Sequence, residues 1–237
     1  MEPTPALKIH LLSEMIRIRR IEQRCIYLYN LGRMGGFLVT SIGQESTAVA
    51  VRAVMGPQDH TISGVRGIAV ALAAGVSPGS IIAELMGRSG GCCKGRGGNF
   101  SLFSPANRHW GCFPIAAAQT PIALGLSFAL KYQGTPAVVF CFLGDGAMNQ
   151  GVLHETLNLA GLLDIPTVFV LENNRYAMGT SNRRSSAFKD YLGRRAEAYD
   201  IAWDVAKGWE MNSLLTKLTE ARERALKTSR PTVLEVE

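Results

Sequence analysis

Apolar and polar positions change rhythm along this chain, and the changes divide it into alternating elements. After Thr4-Pro5, a cap followed by a first helical residue, Leu7, Leu11, Leu12, Met15, Ile18 and Ile21 recur at helical spacing and predict a helix to about Tyr29. The turn GRMGGF follows, then a helix from Gln44 to Met55 stopped by Gly-Pro, and SGVRGIAVALAAG reads as a turn into another short helix. Ser77-Pro78 opens a helix over 78–86 that Gly87 ends. Residues 87–112 are irregular and rich in glycine, a connection much longer than ordinary, and such loops in compact domains more often bind something.

The second half is more regular. FPIAAAQTPIALGLSFAL, residues 113–130, carries no charge and approaches the lower limit of a membrane span, but its alanines, two prolines, Gln119, Thr120 and Gly125 suit a helix buried inside an α/β domain, ending near Lys131. The strand AVVFCFL, a helix from Met148 to Leu163 and the strand PTVFVLE then make a parallel βαβ unit. A polar, arginine-rich loop at 181–195, a helix from about Met211 to Lys227 and the strand PTVLEVE complete the pattern. The expectation is an α/β fold with a doubly wound, mostly parallel sheet and helices on both faces. Residues 1–237 are taken as one domain, with 1–31 as a helical extension.

Composition narrows the function more than the fold. The net charge of +6 is moderate and the bases are dispersed, the densest groups being IRIRR, NRR at 182–184 and GRR at 193–195 without interleaved aromatics. That pattern signals nucleic-acid binding only weakly, and neither a nucleic acid nor a membrane is an expected partner. The five cysteines are an odd number without zinc-ligand spacing, and no signal peptide is evident, so a reduced, cytoplasmic location is expected.

The chemistry gathers where the strands end. Asp145 follows the first strand of the βαβ unit and Asn173-Asn174 follows the second, so these groups converge outside the carboxyl edge of the sheet, where open α/β folds bind ligands. A carboxylate, an amide oxygen and a backbone carbonyl are hard oxygen ligands suited to Mg²⁺ or Ca²⁺, with phosphate oxygens completing the shell. Gly144 and Gly146 allow a tight turn and close approach of a phosphate, and the next helix would present its N-terminus to it. The plainer alternative is that Asp145 caps that helix and Asn173-Asn174 makes a turn.

GDGAMNQG, HETLNLAGLLDIP and VFVLENNRYAMGT resemble the thiamine-diphosphate motif of the α subunits of two-oxoacid dehydrogenase E1 components, of the pyruvate and acetoin types. The similarity extends through MGRSGGCCKGRGGN and GQES and covers about residues 10–237. The resemblance implies that Asp145, Asn174 and the carbonyl of Tyr176 hold Mg²⁺ on thiamine diphosphate. It further implies that Arg66, Gly144, Gly146 and Ala147 lie near the phosphates, and Ile115 and Ala116 near the aminopyrimidine. The glutamate that activates the aminopyrimidine is expected from a β-like partner in an α₂β₂ assembly, with a lipoyl carrier or acyltransferase as a further partner.

Several positions depart from the family pattern. Val39, Ile68 and Ser101 stand where the family has histidines, Val65 where it has tyrosine, and Cys112, Pro114 and Ala117 where it has glycines. The chain also stops before the family's Arg-x-x-Gly-His-Ser loop. Of the remaining histidines, His10 reads as a surface residue, His60 as a turn residue and His154 as packing within the motif. His109, in the irregular loop, is the one candidate to replace a lost catalytic imidazole. The expected function is therefore an E1-α-like subunit that with its partner decarboxylates a two-oxoacid or related donor and transfers the resulting unit. A specialised carboligase, a split transketolase-like subunit and a weakened scaffold subunit are alternatives. An unrelated nucleotide-binding protein fits less well, because there is no Walker motif or dinucleotide fingerprint.

Overall fold

The computed structural model describes residues 3–188 and 190–237. Helix α1 spans Pro5–Asn30, with the Thr4 hydroxyl accepting the Leu7 N–H at 3.2 Å. Leu11 and Ile18 are buried on its inner face, whereas Leu12, expected in the same stripe, points outward and is 54% exposed. Then come α2 (Glu45–Val54), β1 (His60–Ser63), α3 (Gly67–Ala74) and α4 (Pro78–Leu85), the last capped by the Ser77 hydroxyl on the Ser80 N–H. The stretch expected to be irregular contains β2 (His109–Cys112), preceded by single 3₁₀ turns at Gly98–Phe100 and Pro105–Asn107. His109 and His60 therefore both belong to strands, not to a loop and a turn.

Helix α5 spans Gln119–Tyr132 and starts later than expected: residues 113–118 form a turn in which Ala117 adopts φ +66°. Pro114 is thus not the first residue of the helix. Nor is α5 enclosed, since Phe128 and Tyr132 are exposed on its outer flank. Strand β3 (Val139–Gly144) leads through a 3₁₀ turn, Asp145–Asn149, into α6 (Gly151–Leu162), and β4 is Thr167–Glu172. A short hairpin of β5 (Tyr176–Ala177) and β6 (Thr180–Ser181) precedes α7 (Asn182–Ser185) and a 3₁₀ stretch at Leu192–Tyr199. The chain closes with β7 (Ala202–Ala206), α8 (Met211–Thr228) and β8 (Thr232–Val236).

Six strands form one parallel sheet in the order β2-β1-β3-β4-β8-β7. Alternation along β3 serves two cores, as the pleat requires. Phe140 and Phe142 face residues of α1, α2, α3, α4 and α8, whereas Val139, Cys141 and Leu143 face α5, α6 and the 192–196 stretch. Helices thus cover both faces of the sheet, as a doubly wound fold demands. Among the described residues no helix is long and apolar enough to cross a membrane.

Candidate functional site

The strand order creates a crevice. From β1 the chain moves outward to the edge strand β2, then returns past β1 to β3, so the winding reverses between β1 and β3. Such a switch point opens a gap at the carboxyl edge, because the connections leaving the two strands diverge to opposite faces. Here they do: α3, which follows β1, packs in one core and α6, which follows β3, in the other. A small cleft of about 30 Å³ lies there, lined by Ser63, Gly64, Val65, Arg66, Gly144, Glu172 and Gln44 among others. A larger cleft of about 480 Å³ shares Gln44 and Glu172 and includes Asn173 and Asn174.

Parallel register sets Gly144 beside Glu172, and Glu172 beside Val236, so Asp145 and Asn173 each begin the exit from the sheet. Asp145 is 4% exposed. Its Oδ1 accepts the Gly146 N–H at 2.9 Å, while its Oδ2 is buried without a hydrogen-bond partner among the described residues. Burial pushes this carboxyl above its usual range, opposed by the N–H groups of Gly146 and Asp145 itself and by the Arg66 charge. A buried, unpartnered carboxylate oxygen is costly unless a cation or donor meets it. In chemistry, that oxygen together with the side-chain oxygen of Asn174 and the carbonyl of Tyr176 would be a donor set of the kind a hard divalent ion takes.

The two asparagines separate cleanly. Asn173 is committed to the protein: its Nδ2 donates to Glu235 Oε1 at 2.6 Å, and its Oδ1 accepts from the Arg175 N–H and Asn182 Nδ2. Asn174 only turns the chain, its Oδ1 accepting the Tyr176 N–H at 3.0 Å, which leaves that oxygen further acceptor capacity. The glycines separate too. A Cβ on Gly146 would sit 2.6 Å from the Ala177 Cβ, so this glycine lets the Asp145 turn rest against the β5 hairpin. At Gly144 a Cβ would meet nothing within 4 Å, and φ is an ordinary −90°, so no neighbour in the chain demands glycine there. The N-terminus expected to face the phosphate is not that of α6, which starts at Gly151; only the 3₁₀ turn follows Asp145 directly. Ala147, within that turn, is buried and packs into the core.

Arg66 caps α3 and reaches the crevice from the other side. Its Nη1 donates to the Thr40 carbonyl, and its charge opposes the upward push of burial on the carboxyls of Asp145 and Glu172. Glu172 is half-buried, and burial pushes its carboxyl up to about 7 against the Arg66 charge. Two acidic residues not singled out from the sequence support these loops. Glu22 on α1 is fully buried, receives the Ser41 N–H on both oxygens, and is pushed up to about 7 by burial. Glu84 on α4 accepts four backbone N–H groups, from Cys93, Gly95, Gly97 and Gly98, and so shapes the glycine-rich loop. Asn99 joins that loop to the crevice by accepting the Val39 N–H and donating to the Val65 carbonyl. Glu84 had a signal in the sequence, an acid just before a glycine-rich run, whereas Glu22 had none.

Other expected residues lie elsewhere. His109 is fully buried in β2, with Nδ1 2.9 Å from Thr61 Oγ1 and Nε2 3.9 Å from Cys112 Sγ. Burial lowers its pKa to about 3, so it is a neutral packed imidazole with no face toward the crevice. Ile68, at a family histidine position, is buried in the α3 core. Ile115 and Ala116 are exposed on the turn after β2, which the Phe113 N–H pins to the Ser63 carbonyl at 3.0 Å, so they stand at the same sheet edge without enclosing a pocket. His154 is held at 2.8 Å by the Tyr199 hydroxyl.

Comparison with known proteins shows the family. A family model described as dehydrogenase E1 component matches residues 13–237. The pyruvate dehydrogenase E1 component subunit alpha of Rickettsia felis is 41% identical over 99% of this chain and 72% of its own length. The subunit so named from Rhizobium meliloti is 38% identical over 94% of this chain and 64% of its own length. The mitochondrial one of Schizosaccharomyces pombe is 36% identical over 99% and 56% respectively.

Proposed function

The chain belongs to the dehydrogenase E1 component family, and on that premise we propose that it is the diphosphate-holding, α-like subunit of a thiamine-diphosphate enzyme. With a β-like partner in an α₂β₂ assembly it decarboxylates a two-oxoacid and passes the resulting unit to an acceptor such as a lipoyl carrier. The observation that carries this reading is the buried, unpartnered Oδ2 of Asp145 at the switch-point crevice. In this reading Asp145, Asn174 and the Tyr176 carbonyl hold Mg²⁺, Arg66 meets the phosphates, and Gly144 leaves room for their approach. When bound, thiamine diphosphate supplies the electron sink for decarboxylation. The chain's own residues anchor and orient it, and the partner supplies the activating glutamate.

The test is calorimetric titration of the reconstituted pair with thiamine diphosphate. Binding is expected only with a divalent ion present, and Asp145→Ala should remove most of it; equal affinity in the variant overturns the metal assignment. A second reading, a carboligase, split transketolase-like or scaffold subunit, draws support from Ile68, which buries an apolar group where the family has an imidazole. Consumption of a two-oxoacid by the pair separates these: none is expected of a scaffold, and ketol formation is expected of a carboligase.

A further inference from the structure

Arg66 is held at both its ends by one dipeptide. Its Nη1 donates to the Thr40 carbonyl, and its own carbonyl accepts the Ser41 hydroxyl at 3.0 Å. The other guanidinium donors have no hydrogen-bond partner among the described residues, although Asp145, Glu22 and Glu172 all act on the group electrostatically. The Thr40-Ser41 segment has no regular secondary structure of its own. What fixes it is a carboxyl group: Ser41 N–H donates to Glu22 Oε1 at 2.9 Å and Oε2 at 3.0 Å. Ser41 is itself 2% exposed and Glu22 fully buried. Beside this, Arg19, one turn earlier on α1, pairs with Glu45, whose Oε2 also takes the Gly43 N–H. α1 thereby grips the 41–45 segment at two points.

We propose that Glu22 is a positioning residue for the diphosphate subsite, acting through Ser41 and Thr40 to hold Arg66 with its free donors toward the crevice. This rests on the reading of Arg66 as a phosphate ligand. A buried carboxyl with no cation hydrogen-bonded to it is an expensive way to satisfy one N–H. The arrangement makes sense where the ordered segment then fixes a charged group that must meet a ligand. The neighbours facing Glu22 are Cys25 and Arg19 on its own helix, Glu45 at the start of α2, and Arg66 and Glu172 across the crevice.

Inorganic pyrophosphate with Mg²⁺ is the probe, titrated calorimetrically into the full chain reconstituted with its β-like partner, at a temperature where every variant is folded. Glu22→Ala is expected to weaken binding about tenfold, as loss of a buried hydrogen-bonded contact would. Glu22→Gln keeps an acceptor for Ser41 and should restore affinity to within about threefold. Should Glu22→Ala not fold, Glu22→Met decides instead: it keeps the side-chain volume but leaves the Ser41 N–H without its carboxyl acceptor, and about tenfold weaker binding is expected. Undiminished affinity in the decisive variant, with Arg66→Ala weak, overturns the role of Glu22. If Arg66→Ala binds pyrophosphate as tightly as the unmodified protein, the phosphate reading fails and the inference with it.

Discussion

Gly144 and Gly146 flank the same aspartate and answer to different demands. Gly146 is required by the fold, because the Ala177 methyl occupies the place its Cβ would take, 2.6 Å away. Gly146→Ala is therefore expected to cost about 1–3 kcal/mol by overpacking and to shift the β5 hairpin. Gly144→Ala meets open space at an ordinary φ, so its stability should stay within about 0.5 kcal/mol while diphosphate binding is lost. Thermal melts and titration of both variants check the contrast, and a Gly144→Ala protein that binds normally removes that glycine from the cradle. At this scale the sequence was most informative where a local motif marks the positions, as with Asp145, Asn174 and Arg66, each of which follows a strand at the carboxyl edge of the sheet. It was silent on Glu22, whose partner lies 19 residues away and is a backbone N–H, which every residue type except proline offers. Burial leaves Glu22 with a pKa of about 7 against an ordinary 4.5. The folded state thus keeps a proton that the unfolded chain has lost, and stability falls as pH rises from about 4.5 to 7. Glu22→Gln removes this, so its stability relative to the unmodified protein should rise between pH 5 and pH 8, by an amount of order 3 kcal/mol at most. A difference that stays constant with pH would show that Glu22 is not the source.

Elements differ in how openly the chain declares them. β3 and β4 are central strands buried on both faces, and each appears as an unbroken apolar run. β2 and β7 are edge strands, and the four-residue β1 carries His60, Thr61 and Ser63, so none of the three has a run long or apolar enough to stand out. They become strands because neighbours offer them a ladder, which is tertiary information. The glycine-rich loop after α4 is similar: it lacks periodicity, yet four of its N–H groups converge on Glu84. Burial alone would raise that carboxyl, but the N–H groups of Gly97, Gly95, Cys93 and Gly98 hold it below its usual range. Its contribution is complete above the ordinary value of 4.5 and is lost as pH falls through the lower folded value. Glu84→Ala should cost roughly 3 kcal/mol and speed hydrogen exchange at Cys93, Gly95, Gly97 and Gly98. Unchanged exchange at those amides would mean the loop is held by other contacts.

At the scale of the molecule, the candidate site belongs to no single element. Arg66 follows β1, Asp145 follows β3, Asn174 follows β4, and α1 steadies the first of these through Ser41. Only the assembled sheet brings them to one edge, so a ligand joining them should oppose unfolding of the whole sheet and not of one loop. Mass action sets the size: at a hundredfold excess over Kd the gain is about 2.7 kcal/mol. For a chain of this length that is roughly 5–10 °C in Tm. Mg²⁺ and thiamine diphosphate together should give this shift to the chain reconstituted with its β-like partner. Either alone should give little, because the diphosphate without the ion meets the Asp145 carboxylate as a like charge, and the ion without the diphosphate lacks ligands. Chelation should reverse the shift, and Asp145→Ala should prevent it while leaving the unliganded Tm unchanged or higher, since it removes a buried oxygen with no partner. A full shift from thiamine diphosphate in the presence of chelator would mean that the crevice holds the phosphates by Arg66 and backbone donors, with Asp145 serving the turn instead of a metal.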